Sequence, residues 1–333
     1  MKAVVLPNYN ANLIRALLGM KTEERLMPVP AKGEVIIKVL ASPCNPSDIA
    51  FLRGGYNINK ATPCIPGFEA VGIIEFVGEG VSKKLLDKRV SCFVQHDQSG
   101  SWSEFVISTT DECIFLKDEM PENQAACFAV NPFTAYGLFE LAKDSGSKAI
   151  IQNAAGGQVG KFIRVLAQGE GIKVINIVRR AEQVEALIFE GETEVLNSSD
   201  ENFAADLKLK ARELEADICF DAVGGEQSGM ILNAMPNHSE LILYGGLSGQ
   251  NLANIDSLGL IFKNKILSGF NLMDWMDELE DGEFEKISDH LQNLFIQGIL
   301  KTDIQGTYSL DEVVKGIRAY IGNMSAGKIL IKP

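Results

Sequence analysis

The chain has 333 residues, of which 46% are hydrophobic and 23% charged, with a formal net charge of −13 at pH 7. That length and composition exclude a disordered chain, a collagen-like repeat and a disulfide-stapled miniprotein, and predict about two domains. The acidic balance argues against nucleic-acid partners and anionic membrane surfaces, because phosphate contacts need Lys and Arg.

The N-terminal residues Lys2-Ala3-Val4-Val5-Leu6 read as a short strand ended by Pro7. They lack the long apolar run of a secretory signal. Residues 34–40, 71–77, 88–93 and 104–107 are short apolar runs bounded by Gly, Pro and Asn, which predicts a β-rich, partly closed barrel-like domain. Between them lie Asn45-Pro46-Ser47-Asp48 and Arg53-Gly54-Gly55-Tyr56-Asn57. A tyrosine in such a Gly-rich loop can offer a phenolic donor to a developing oxyanion, or simply pack. Cys92 and His96 are the only close Cys/His pair, and two ligands on one loop do not make a zinc site.

The character changes near residue 122. Residues 123–142 read as helical, with Pro132 marking a helix start. Strands at 149–153, 173–178, 217–223 and 241–244 then alternate with helices at 159–168 and 182–189. Nearly all-apolar strands in that alternation predict a doubly wound parallel sheet. An amphipathic helix at 284–297 and a last strand at 328–331 follow, the strand returning to the first domain. His238 reads as a turn residue and His290 as an exposed helix position.

The strongest local signal is Ala155-Gly156-Gly157-Gln158-Val159-Gly160, which follows the buried strand and opens a helix. This is an A-x-G-x-x-G version of the dinucleotide fingerprint, in which a diphosphate sits on the helix N-terminus. The second strand ends in Arg179-Arg180 rather than the Asp or Glu that holds a ribose 2′-OH. Two guanidiniums suit a 2′-phosphate, so the expected cofactor is NADPH. The six cysteines are scattered without a C-x-x-C pair, which predicts reduced thiols and a cytoplasmic location.

The chain resembles the medium-chain dehydrogenase/reductase superfamily over essentially its whole length. Asn45-Pro46-x-Asp48, Pro66-Gly67-Phe68-Glu69, Gly100-x-Trp102-x-Glu104-Phe105, Asn131-Pro132-Phe133-Thr134, the A-x-G-x-x-G turn, Asp221-Ala-Val-Gly-Gly225 and Gly327-Lys328-Ile329 carry the resemblance. Zinc members have Cys where this chain has Asn45 and His where it has Phe68, so the resemblance is to the zinc-free branch of quinone oxidoreductases and 2-enoyl thioester reductases. It implies a Rossmann sheet plus a β-rich GroES-like catalytic domain, with the NADP-binding domain at 124–273 and the catalytic domain at 1–123 and 274–333.

It further implies cofactor contacts from Asn131, Thr134, Gly156, Gly157, Gln158, Val159, Gly160, Arg179, Arg180, Tyr244, Gly245, Phe270, Leu272 and Lys328. Tyr56 and Asn45 are the catalytic candidates, and no metal is expected. The implied reaction is NADPH-dependent reduction of an activated C=C bond in an enoyl thioester. The alternatives are an NADPH:quinone oxidoreductase and a non-catalytic NADPH-binding sensor. A conjugated acceptor spreads the developing charge by itself, whereas a simple ketone would want a metal. The resemblance also implies a homodimer, with the sheet edge at 265–270 as its natural place.

Overall fold

The computed structural model describes residues 1–95 and 99–333, so His96 and the pairing considered for it lie outside the described residues. The chain divides into two compact units, Met1–Asn131 with Glu285–Pro333, and Pro132–Phe284.

The first unit is built on a seven-stranded sheet. Its centre is Glu34–Pro43, ten residues long and mostly buried, with Lys38 exposed. That strand pairs antiparallel with Glu69–Val77 along one edge. Along the other it pairs with Phe105–Thr109 and, at its far end, with Lys328–Lys332. Two register shifts against Glu69–Val77 bend the pair. Gly72 makes the close approach possible: a methyl group there would stand 2.3 Å from the Lys38 carbonyl oxygen. Val35, Ile37, Val39, Ala70, Ile74, Val90 and Val106 fill one side of the sheet. The last strand does return to this unit, as its sequence implied.

A helix at Pro46–Leu52 leaves the end of the central strand, with Pro46 in the first turn, where a missing N–H costs nothing. Helices at Leu13–Gly19 and Val313–Gly322 also belong to this unit, and the sequence pattern predicts none of the three. The predicted helix over 123–142 is two helices, Glu122–Ala125 and Asn131–Asp144. Pro132 opens the second of them.

The second unit holds six strands, all paired in parallel. Their spatial order is Val195–Asn197, Lys173–Val178, Ala149–Gln152, Ile218–Asp221, Glu240–Leu243, Ile266–Gly269. In chain order this is 3-2-1-4-5-6, the doubly wound dinucleotide-binding arrangement. Ala149, Ile151, Ile175, Ile177, Cys219 and Leu241 are buried on one face, packed with Phe203, Leu207 and Ile231 of the flanking helices. The connections run in opposite directions from Ala149–Gln152, so a crevice opens where its carboxyl end meets that of Ile218–Asp221.

Candidate active site

The carboxyl end of the first parallel strand leads through Asn153-Ala154-Ala155-Gly156-Gly157 into the helix Gln158–Glu170. Gly157 is the N-cap, in extended backbone without a side-chain cap, and a helix N-terminus of this kind favours an anion. Ala154 sits at φ 48°, a left-handed conformation costly for a residue with a Cβ. A methyl at Gly157 would stand 3.1 Å from the Ala154 carbonyl oxygen. At Gly160 it would stand 2.8 Å from the Ala155 carbonyl oxygen, so this glycine lets helix and turn touch. The cradle fits the diphosphate of a dinucleotide, since its close-approach positions are the ones without side chains.

Behind the turn stands a network that sequence reasoning missed. Arg164, buried on the same helix, donates to the Ala155 carbonyl at 2.5 Å and pairs with Glu190 at 2.7 Å and Glu192 at 3.1 Å. Glu192 also accepts from the Asn176 amide at 3.0 Å, and the Gln152 amide donates to Asn176 at 2.8 Å. The turn's carbonyl is therefore tied to two strands, Ala149–Gln152 and Lys173–Val178. Across the switch point, the Asn153 amide donates to Asp221, whose carboxylate also accepts from the backbone N–H of Val223 at 2.8 Å and Gly224 at 3.0 Å. These bonds fix the crevice floor.

The predicted lining residues fall at the same end of the sheet. Tyr244 follows Glu240–Leu243, and its phenol is pushed up by burial and by the nearby Asp221. Gly245 lies so close to Ala222 that a methyl would come within 2.7 Å of that carbonyl oxygen. Phe270 and Leu272 follow the edge strand, and the Phe270 ring lies 6.2 Å from Trp275. Asn131 and Thr134 are buried in the first turn of Asn131–Asp144. Arg179 is exposed at the end of the second strand, and Arg180 pairs with Glu182 at 3.1 Å.

In the first unit the candidates surround a buried group of charges. The Asn45 side-chain amide donates to Glu69 at 2.8 Å, and its oxygen accepts from Lys328. The Asn45 backbone N–H donates to Asp48 at 2.7 Å. Glu69 accepts in addition from the Val130 N–H at 3.1 Å. Burial pushes both Asp48 and Glu69 up to about 7, against the pull of Lys328 and of their hydrogen bonds. The Lys60 ammonium, also buried, lies over the Phe68 ring at 5.3 Å and donates to the Ser99 carbonyl. The Lys328 ammonium lies 5.6 Å from the Tyr320 ring centre. Lys328 therefore faces Asn45 and the core of the first unit.

Tyr56 sits in the loop after the helix, half-buried, its ring 5.3 Å from Phe68. Its phenol is pushed up by burial and then by Asp48, while the Ser47 hydroxyl pulls it down. Phe68 has no donor atom, and the Asn45 amide is occupied by Glu69 and Lys328, so this set does not fit zinc.

Residues 31–118 match the alcohol dehydrogenase GroES-like domain family. The mitochondrial enoyl-[acyl-carrier-protein] reductase of Arabidopsis thaliana is 30% identical over 289 residues, which cover 84% of this chain and 76% of that protein. A putative NADPH:quinone reductase of Mesorhizobium loti superposes with a TM-score of 0.93 at 31% identity, covering 100% of this chain and 98% of that one. The Escherichia coli quinone oxidoreductase complexed with NADPH has a TM-score of 0.85 at 21% identity, with both chains fully covered, and so shares the fold. The diphosphate cradle, the Asn45/Phe68 pair and these relatives agree: the chain belongs to the zinc-free branch of the medium-chain dehydrogenase/reductase superfamily and is an oxidoreductase.

Proposed function

We propose that the protein reduces the activated C=C bond of a 2-enoyl thioester with NADPH. The observation that carries this reading is Tyr56: a half-buried phenol kept protonated by burial and by Asp48, on a loop of the GroES-like unit. Reduction at the β-carbon of an enoyl thioester moves negative charge to the carbonyl oxygen. A neutral phenol donates a hydrogen bond to that oxygen. When bound, a reduced nicotinamide supplies the hydride. Gly156, Gly157, Gln158, Val159 and Gly160 would hold its diphosphate, and Tyr244, Gly245, Phe270 and Leu272 would line its crevice. Arg179, exposed, is the guanidinium most open to a 2′-phosphate. Arg180 would share itself with Glu182. Lys328 would contact the cofactor, and its ammonium also donates to the Asn45 side-chain oxygen.

Quinone reduction is the second reading, favoured by the 31% identity to the Mesorhizobium loti protein over the whole chain. NADPH oxidation with crotonyl-CoA, a longer enoyl-CoA and a benzoquinone, for wild type and Tyr56→Phe, separates the two. Removing one oxyanion donor costs about 100-fold in kcat at the low end. Gly54, Gly55 and Asn57 beside Tyr56 are exposed, which lets water substitute for the phenol, so the expected loss on enoyl thioesters is about 10- to 100-fold, with a smaller loss on quinone. Turnover of quinone alone, or equal rates in both proteins, overturns the proposal.

We also assign a homodimer joined through the unpaired edge of Ile266–Gly269. Ile261, Phe262 and Ile266 are exposed beside it, at 63%, 75% and 53%. The six cysteines are free and buried, which supports a reducing compartment such as the cytoplasm. Among the described residues no helix is long and apolar enough to cross a membrane.

A further inference from the structure

The amino ends of the parallel strands carry a feature that dinucleotide reduction does not use. Four cationic side chains, Lys208, Arg212, Lys263 and Lys265, line one cavity of about 320 Å³ together with Ala234, Met235 and Pro236. Lys263 and Lys265 precede the strand Ile266–Gly269, and Pro236 precedes Glu240–Leu243. The cavity is therefore at the end of the sheet opposite the glycine turn, wholly within the second unit.

The cations are only partly accounted for within the chain. Lys265 is 6% exposed, and its ammonium donates to the carbonyl oxygens of Leu232 at 2.6 Å and Asn233 at 3.2 Å, which are last-turn carbonyls of the helix Glu226–Ala234. Arg212 lies in the last turn of Phe203–Glu213, where the helix dipole favours a cation. Lys263 has one carboxylate, Asp256, at 3.7 Å. The side chains of Lys208 and Arg212 make no hydrogen bond or ion pair among the described residues. They stand four residues apart on one helix face, a like-charge spacing that weakens a helix. Burial pulls Lys265 down, and Lys263 and Lys208 pull it further down, so the cations repel across the cavity. This concentration of positive charge occurs in a chain whose net charge is −13.

We propose that this cavity is an anion site for a small phosphate-bearing ligand, a pyrophosphate or phosphomonoester group, bound independently of the dinucleotide. A phosphate group carries up to two charges and three acceptor oxygens, which the converging ammonium and guanidinium donors would share. The apolar walls of Ala234, Met235 and Pro236 accommodate the organic part of an ester.

Isothermal titration of the NADPH-saturated protein with inorganic pyrophosphate at low salt tests the site. The expected result is one pyrophosphate per chain in the presence of NADPH, with Kd raised about tenfold or more in K208A/R212A. Both residues are exposed, so this variant keeps its circular dichroism and its NADPH turnover. Lys263→Ala should weaken binding less, because Asp256 already neutralises part of that charge. Absence of binding at roughly millimolar pyrophosphate, equal Kd in wild type and K208A/R212A, or loss of the binding when NADPH saturates the protein would each overturn the proposal. The last of these outcomes would place the anion in the glycine cradle instead.

Discussion

Arg164→Met removes the tie that holds the glycine turn. The Arg164 side chain is 6% exposed and makes three contacts, to the Ala155 carbonyl at 2.5 Å, to Glu190 at 2.7 Å and to Glu192 at 3.1 Å. Glu190 is 50% exposed, so solvent screens its pairing to at most about 1 kcal/mol. The charged hydrogen bond to Ala155 is within the protein and is worth about 1.5–3 kcal/mol. Glu192 keeps its Asn176 hydrogen bond and loses only part of its stabilisation. Methionine restores most of the aliphatic contact. The net loss is about 2–3 kcal/mol, which lowers Tm by roughly 5–10 °C for a unit of this size. The same change frees the Ala155 carbonyl to move, so the KM for NADPH should rise more than kcat falls. Calorimetry and steady-state kinetics on wild type, Arg164→Met and Glu190→Gln measure both effects, and Glu190→Gln should lose at most about 1 kcal/mol. A variant Arg164→Met that melts within about 1 °C of wild type, with unchanged KM, refutes the reasoning.

Asp48 is neutral in the fold up to about pH 7 and ionised above about pH 4 when unfolded. The folded chain thus binds more protons across that window, and its stability falls as pH rises from 4 to 7. Asp48→Asn keeps an acceptor for the Asn45 N–H and should flatten this loss, read from urea midpoints at pH 5 and pH 8; an unchanged slope contradicts the assignment. A methyl at Gly137 would meet the Trp275 ring at 2.9 Å and Phe270 at 2.8 Å. Gly137→Ala should therefore shift the emission of Trp275 and cost about 1–3 kcal/mol, and an unaltered spectrum would show the ring free to move. Wild type should prefer NADPH over NADH, and Arg179→Ala with Arg180→Ala should lower that preference in kcat/KM by about tenfold or more while sparing NADH turnover. Equal use of both cofactors by wild type removes the basis for it.

The inner parallel strands were legible because burial on both faces makes them nearly all apolar, as in Ile150-Ile151 and Val174-Ile175 with Ile177-Val178, broken only by Asn176. The glycine turn was legible because close backbone approach excludes side chains at Gly157 and Gly160. Arg164 was not, since an arginine on an amphipathic helix reads as solvent-facing, and its acidic partners lie on a later turn. The buried group around Asn45 was hidden for a related reason. Lys328 reaches Asn45 across 283 positions, and nothing local says that a lysine in a strand is buried. The cations of the amino-end cavity come from a helix and a strand approach separated by about fifty residues, so only the parallel topology brings them together.

The division of the chain has a consequence for synthesis. The nucleotide-binding unit is one contiguous stretch, whereas the central strand of the first unit pairs through Ser42 and Pro43 with Ile331 and Leu330. Domains fold as units while the chain emerges from the ribosome. The contiguous unit can complete its sheet while the strand carrying Lys328 is still inside the exit tunnel. Until residues 328–331 emerge, the Glu34–Pro43 strand lacks this later partner, and Asn45 lacks the Lys328 ammonium. Asn45 therefore gains this partner after the glycine turn of the second unit is already in place.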